Sequence, residues 1–397
     1  MQSPNASTAV ASPLPRSNAK SEARRMSSAS STRDPYSIEK RPTFGKWIKV
    51  TWLDIVTIFL VAAFAFPVGY FYIYLPTLGL GTRAANSVEV YYLAFPIGVR
   101  VFPLDVHTDK SNSTASVIPP SFAYPARPQM VSNWLIALIA IFFPTAVILL
   151  MQIRIRNFWD LNNSLLGFCY ALLTSAALQS TVKAFVGGLR PNFYDICQPD
   201  SEHAKNGGNK TGLNGIGFRG DMWSKDVCTT TNHSSLRNAM QGFPSGHSTT
   251  MVAAMVYLSL YLNAKLKVFA NYHTPLWKLI ALVVPILGAV LLCGTLVIDN
   301  THSWYDIAGG ATIGILVSSA AFRMVYPSIF DWRINHIPLN RNVPFDGQPR
   351  QDLVVTTRAG WRSPVKENDT TSAPDLGHDE LDGENGNGSS TPNRVGL

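Results

Sequence analysis

The sequence predicts an all-α, six-span transmembrane helical bundle, and three observations carry that prediction. Apolar residues make up 46% of the 397-residue chain and charged residues 15%, against about a quarter charged in a soluble protein. Polar ends enclose a hydrocarbon-rich middle, so the mean hydropathy of +0.09 averages two unlike compositions. Within that middle lie six apolar runs, each long enough or nearly so to cross about 30 Å of hydrocarbon as an α-helix.

The runs are Ile55–Leu75, Trp134–Gln152, Asn163–Val182, Ser248–Ala264, Leu279–Ile298 and Ile307–Tyr326. The second, third and fifth carry no charge. The sixth is Gly-rich and contains Arg323 near its end, where a long stem lets the guanidinium reach the surface. A further stretch, Tyr91–Leu104, is short and broken by Pro96, Arg100 and Pro103, and reads as an interfacial segment. Residues 1–45 are rich in Ser, Ala, Pro, Arg and Lys, and 336–397 are polar, more acidic and end in a Gly/Asn/Ser run. Neither holds enough apolar material for a core, so both are expected to be disordered tails around a membrane domain over 46–335. The first apolar run begins at Ile55, too far in for an ordinary cleaved signal peptide.

The net charge of +8 is dispersed over tails and short loops. A nucleic-acid-binding reading needs a compact basic surface interleaved with aromatics, and none is present, so nucleic acid is excluded as a partner and the charge is read as membrane topology. Lys40, Arg41, Lys46 and Lys49 precede the first run, Arg154 and Arg156 follow the second, and Lys265, Lys267 and Lys278 follow the fourth. With six spans these fall on one side, the cytosol, together with both termini. Loops 76–133, 183–247 and 299–306 then face away from it. Those loops hold acceptor triplets at Asn112, Asn209 and Asn232. They also hold Cys197 and Cys228, which are a disulfide pair in an oxidising lumen or two free thiols.

Three polar clusters fall on that same non-cytosolic face. The third span ends in Lys183-Ala-Phe-Val-Gly-Gly-Leu-Arg190-Pro191. Seven residues are about two helical turns, so both cations can point one way and suit a phosphate; the plainer alternative is snorkelling at a helix end. The fourth span begins Pro244-Ser245-Gly246-His247, where free N–H groups at a helix start attract an anion, and where an N-cap alone would also explain Ser245. The sixth is preceded by Asp299-Asn-Thr-His302-Ser-Trp-Tyr-Asp306. His302 and Asp306 share a helix face at i, i+4; a carboxylate on one ring nitrogen fixes the tautomer and leaves the other nitrogen nucleophilic. Ionisable groups at membrane depth are expensive and functional by default, and their convergence is the argument.

Lys-x6-Arg-Pro, then Pro-Ser-Gly-His, then His-x3-Asp, in that order on six spans, resembles the type 2 phosphatidic acid phosphatases, relatives of bacterial acid phosphatases and vanadium haloperoxidases. The resemblance covers about residues 50–330 and includes Ala123-Tyr-Pro-Ala-Arg-Pro128. It implies a lipid phosphate phosphatase acting on phosphatidate, diacylglycerol pyrophosphate, lysophosphatidate or a related monoester. His302 would be the nucleophile, Asp306 its orienting carboxylate and His247 the general acid and base. Lys183, Arg190, Ser245 and the Gly246 backbone would hold the phosphate. No Asp/Glu cluster at metal-binding spacing accompanies these residues, so no cofactor and no Mg²⁺ are expected.

One position departs from the family pattern. Alignment on His302 and Asp306 puts Thr295 and Leu296 where the family carries Ser and Arg. Loss of that cation leaves open a non-catalytic member that binds lipid or protein. Arg219, Lys225 or Arg237 in the large loop could replace the missing charge. A phosphotransferase or transporter on a similar bundle is a third reading, although a transporter is expected to carry polar residues at mid-membrane.

Overall fold

The computed structural model describes residues 41–73, 102–108, 114–200, 222–223, 227–341, 344–345 and 354–355. The expected N-terminal tail up to residue 40, Asn112, Asn209, Arg219, Lys225, residues 91–101 of the expected interfacial segment and 356–397 of the expected C-terminal tail lie outside these residues.

Six long helices follow the hydrophobic runs. α1 spans Phe44–Ile73, α2 Asn133–Ile155 and α3 Phe158–Phe185; two short helices, α4 (Phe193–Cys197) and α5 (His233–Ala239), precede α6 (Gly246–Leu266), α7 (Leu276–Ile298) and α8 (Trp304–Val325). Local chemistry sets the ends. Ser132 caps α2, accepting from Leu135 N–H at 3.3 Å, and left-handed Arg156 (φ 53°) stops it. Asn157 then caps α3 at once, accepting from Asp160 N–H at 2.9 Å, so a two-residue turn reverses the chain. α1 begins eleven residues before the expected Ile55. Its polar first turns are held by partners distant in sequence: Trp47 Nε1 donates to Asn162 Oδ1 at 2.8 Å, and Asp54 pairs with Arg341.

Five of these helices (α1 through Phe44–Ala65, α2, α3, α7 and α8) are long and apolar enough to cross a membrane. They carry their large side chains outward: Phe142, Leu150, Leu287 and Leu291 are all exposed. An apolar surface of this extent is at home in lipid and not in water. α6, the fourth predicted span, falls outside these five. Sixteen of its 21 residues are buried, because it lies at the centre, packed by α2, α3, α7 and α8. A helix shielded by other helices does not need lipid-facing residues, and α6 carries Ser248, Thr249, Ser259 and Asn263 buried in the bundle.

Close approach of α8 to α6 runs through small residues. A Cβ on Gly310 would stand 2.6 Å from the Ser245 carbonyl oxygen, and one on Gly314 2.9 Å from both Ala253 N and Thr249 O. Gly310, Gly314 and Ser318 form a small-residue seam of the kind that packs membrane helices.

The two ends of the bundle differ. At the end holding the start of α3 and the finish of α6 and α8, Asp160 is fully buried. It pairs with Lys265 and accepts from Gln152 Nε2 at 2.7 Å and Tyr326 OH at 3.0 Å. Lys265 also donates to the His336 carbonyl at 2.7 Å, and Lys267 to Asn335 Oδ1 at 3.1 Å. Residues on both sides of the expected 335/336 boundary are thus seated on the helix ends: Ile337 is buried, and Leu339 N–H donates to Val325 O at 3.0 Å.

At the opposite end, two short antiparallel ladders lie outside the helices, a small addition to the expected all-α architecture. β1 (Phe102–Pro103) pairs with β4 (Met222–Trp223), and β2 (Asp105–Thr108) with β3 (Thr114–Val117). A second hydrophobic core forms here around Phe102, Phe193, Tyr194, Trp223 and Leu236. The Cys197–Cys228 disulfide staples it.

Candidate active site

The candidate catalytic and phosphate-binding residues, Lys183, Arg190, Ser245, Gly246, His247, His302 and Asp306, lie at this capped end. α3 delivers Lys183 in its last turn and terminates at Val186. Gly187 (φ 61°) and Gly188 (φ 113°) then occupy backbone conformations that L side chains rarely adopt. That turn folds the chain back: Phe243 N–H donates to Gly187 O and Gly242 N–H to Gly188 O, both at 2.9 Å. Arg190 N–H donates to Ala239 O at 2.8 Å. The first and second motifs, some fifty residues apart in sequence, are therefore joined by a backbone ladder.

The ladder leads directly into α6. Ser245 caps it, its Oγ accepting from Ser248 N–H at 3.4 Å. Gly246 and His247 follow in the first turn, where backbone N–H groups lack helical acceptors. Gly246 lies against the Gln179 side chain, whose Nε2 would be 3.3 Å from an added Cβ. Gln179 is one turn before Lys183 on α3.

The third motif straddles the start of α8: His302 lies in the turn before the cap Ser303 and Asp306 in the first helical turn, so the two do not share a helix face as their spacing predicts. Asp306 Oδ2 accepts from Ser303 N–H at 3.0 Å and lies 3.5 Å from His302 Nδ1. That separation gives electrostatic contact without a good hydrogen bond, and His302 Nδ1 and Asp306 Oδ1 are both buried without a hydrogen-bond partner among the described residues. His247 Nδ1 is in the same condition. The His302 backbone is pinned by donation to Leu296 O at 3.1 Å, and Thr301 N–H shares that acceptor at the same distance.

Electrostatics ties the set together. Burial holds the His302 imidazolium well below its ordinary value of 6.5; Arg190, Lys183 and His247 push the same way, and the Gly242 backbone opposes them. His302 is thus a neutral imidazole at neutral pH. Lys183 and Arg190 act on His247 as well, so all four groups lie within one another's field. Burial lowers Arg190 from its ordinary value to about 10 while Asp306 counters it, and it remains a cation at neutral pH.

Asn238, on α5, is the site residue the sequence did not reveal: its Oδ1 accepts from Arg190 Nη2 at 2.8 Å. No motif spacing marks an asparagine in a long loop. Gln179 had a readable signal, an amide side chain in an uncharged span one turn from Lys183. Leu296, where the family pattern places a cation, is buried with 3% exposure. Of the basic residues considered as replacements, Arg237 is described; it precedes Asn238 on α5 and is half-buried.

The fold and this site define an integral, multi-pass membrane protein with a histidine–carboxylate pair set among fixed cations at one end of its bundle. Residues 164–330 match the PAP2 superfamily, and the chain belongs to the type 2 phosphatidic acid phosphatase family. It is 30% identical over 208 residues to lipid phosphate phosphatase 2 of Arabidopsis thaliana, covering 52% of this chain and 66% of that one. To diacylglycerol pyrophosphate phosphatase 1 of Saccharomyces cerevisiae it is 29% identical over 210 residues, covering 52% of this chain and 68% of that one. A PA-phosphatase related-family protein of Dictyostelium discoideum is 29% identical over 222 residues, 55% of this chain and 64% of that one. The chain thus spans somewhat less than two thirds of the length of some of these relatives. No solved structure matches it.

Proposed function

We propose that the chain is a lipid phosphate phosphatase working through a phosphohistidine. The observation that carries this reading is the buried His302, 3.5 Å from Asp306 and within the field of the Lys183 and Arg190 cations. With Asp306 toward Nδ1, the proton resides there and Nε2 presents its lone pair. Nε2 attacks phosphorus, the N–P bond forms, and the ester P–O bond breaks. His247 donates a proton to the departing alkoxide, then takes one from the water that hydrolyses the N–P bond and restores His302. Lys183, Arg190, Ser245 and the Gly246 N–H stabilise charge on the phosphoryl oxygens. Positive charge comes from these side chains, so turnover requires no divalent metal.

The substrate class is phosphatidate, diacylglycerol pyrophosphate or a related lipid phosphate monoester, a reading supported by relatives named lipid phosphate phosphatase and diacylglycerol pyrophosphate phosphatase. α6 supplies the sixth crossing: it runs from the site end to the Asp160 end in 21 residues, about 31 Å. The site end is assigned to the lumenal or extracellular face and both termini to the cytosol. The Cys197–Cys228 disulfide supports that assignment, since such bonds persist in oxidising compartments.

The test is phosphate release by purified full-length protein from a panel of lipid phosphates, with and without EDTA, beside His302→Ala and His247→Ala. Expected are EDTA-resistant turnover, vanadate inhibition, near-complete loss in His302→Ala and a slowed leaving-group step in His247→Ala. Wild-type rates in both variants, or activity abolished by EDTA and restored by Mg²⁺, would overturn the reading.

A further inference from the structure

We propose that Asn238 is a positioning residue: it holds the Arg190 guanidinium in the orientation that grips the substrate phosphate. This rests on the phosphatase reading above.

A guanidinium has five N–H donors. In Arg190 one Nη2 hydrogen goes to Asn238 Oδ1 at 2.8 Å, while Nε is buried with no hydrogen-bond partner among the described residues. Leaving a buried donor on a cation unmade is costly, and an anion supplies what Nε lacks. Anchoring Nη2 fixes the rotation of the planar group about its stem. The unfilled Nε donor is then held in place before substrate arrives, and less conformational freedom is lost on binding.

The anchor is itself rigid. α5 is capped by Asn232, whose Oδ1 accepts from Ser235 N–H at 3.1 Å. Leu236, Ala239 and Met240 are buried in the second core, which the Cys197–Cys228 disulfide closes. Arg190 N–H donates to Ala239 O, so backbone and side chain of Arg190 are both tied to the end of α5. The capping core outside the bundle thereby acquires a role in the chemistry: it carries the part that aims the phosphate-binding arginine.

Residue type matters as much as position. Asparagine offers a neutral acceptor, so Arg190 keeps its full charge for the substrate. A carboxylate there would accept the same hydrogen bond but form an ion pair that competes with phosphate.

The experiment compares full-length Asn238→Ala and Asn238→Asp with wild type, measuring kcat, KM, the vanadate inhibition constant and the thermal midpoint. Asn238→Ala is expected to raise KM and the vanadate constant about tenfold, the scale of one hydrogen bond to a charged group, with a smaller change in kcat and an unchanged midpoint. Asn238→Asp is expected to weaken vanadate further although it keeps the acceptor. Unchanged vanadate inhibition in both variants overturns the proposal. So do equal losses in both that follow a fallen thermal midpoint, which mark a purely structural residue. A wild type that neither turns over lipid phosphate nor binds vanadate overturns the phosphatase reading itself, before any variant is compared.

Discussion

The backbone N–H of Ser245 donates to the carbonyl oxygen of Asp306 at 3.0 Å. This bond couples the cap of α6 to the first turn of α8, so the anion-binding helix start and the histidine–carboxylate pair are held as one body. Ser248 Oγ adds a second tie, donating to Ile307 O at 2.9 Å.

The first prediction tests that coupling through the α6/α8 seam. Gly314→Val places a branched side chain where even a Cβ would lie 2.9 Å from Ala253 N and Thr249 O, both backbone atoms that cannot yield. Stability should fall by about 1–3 kcal/mol, the usual range for overpacking, and activity should fall with it although no site residue is touched. Thermal unfolding in detergent and phosphate release measure the two effects; a wild-type midpoint would show that the helices are not in this contact.

The pH dependence follows from His302. Its imidazolium is destabilised, so the reactive neutral form persists as pH falls past the ordinary value of 6.5. The acidic limb of kcat/KM should therefore lie below pH 6.5. Removing a nearby cation has the opposite sign: Lys183→Met should lower the rate and move the limb upward, because Lys183 opposes protonation of the ring. A limb already above 6.5 in wild type would contradict the buried setting of the nucleophile.

Leu296 separates a slowed enzyme from a silent one. It is buried, and its carbonyl holds the His302 backbone. Leu296→Arg should restore a cation beside the phosphoryl group and raise kcat/KM about tenfold, corresponding to roughly 1.4 kcal/mol of transition-state stabilisation. A fall in activity would indicate that another basic group, with Arg237 the described candidate, already fills the space. Inactivity of both proteins on every lipid phosphate tested would favour a binding protein.

The disulfide gives a fourth test. Cys197 and Cys228 close a loop with a sequence separation of 31, for which chain-entropy reasoning assigns about 3–4 kcal/mol. Cys228→Ser should loosen the capping core, seen as faster amide exchange over residues 193–197 and 233–239, and should weaken vanadate inhibition by releasing α5 from Arg190. Unchanged exchange in that region would show that the cap is held by its hydrophobic core alone.

The bundle was legible because membrane spans announce themselves through long apolar stretches, and the motifs because Lys183, Arg190, His247, His302 and Asp306 are ionisable groups beside those stretches. α6 was legible as a helix, but its central placement was not, since burial by protein and burial by lipid leave similar sequences. The early start of α1 depends on Asn162 and Arg341, contacts that local pattern cannot foresee. The same is true of the capping core, assembled from residues between 102 and 240, and of Asn238, whose importance comes only from where Arg190 ends up.

The Asp160–Lys265 pair has a consequence for how the protein is made. Asp160 opens α3 and Lys265 closes α6, and both are fully shielded from solvent and lipid. Asp160 is synthesised 105 residues before Lys265. If α6 partitioned into lipid alone, it would carry an uncompensated ammonium and several hydroxyls and amides; beside α3 it meets a waiting carboxylate. Order of emergence from the ribosome therefore favours α3 resting at the insertion site until α6 arrives, so that the two enter the bilayer as a neutral couple.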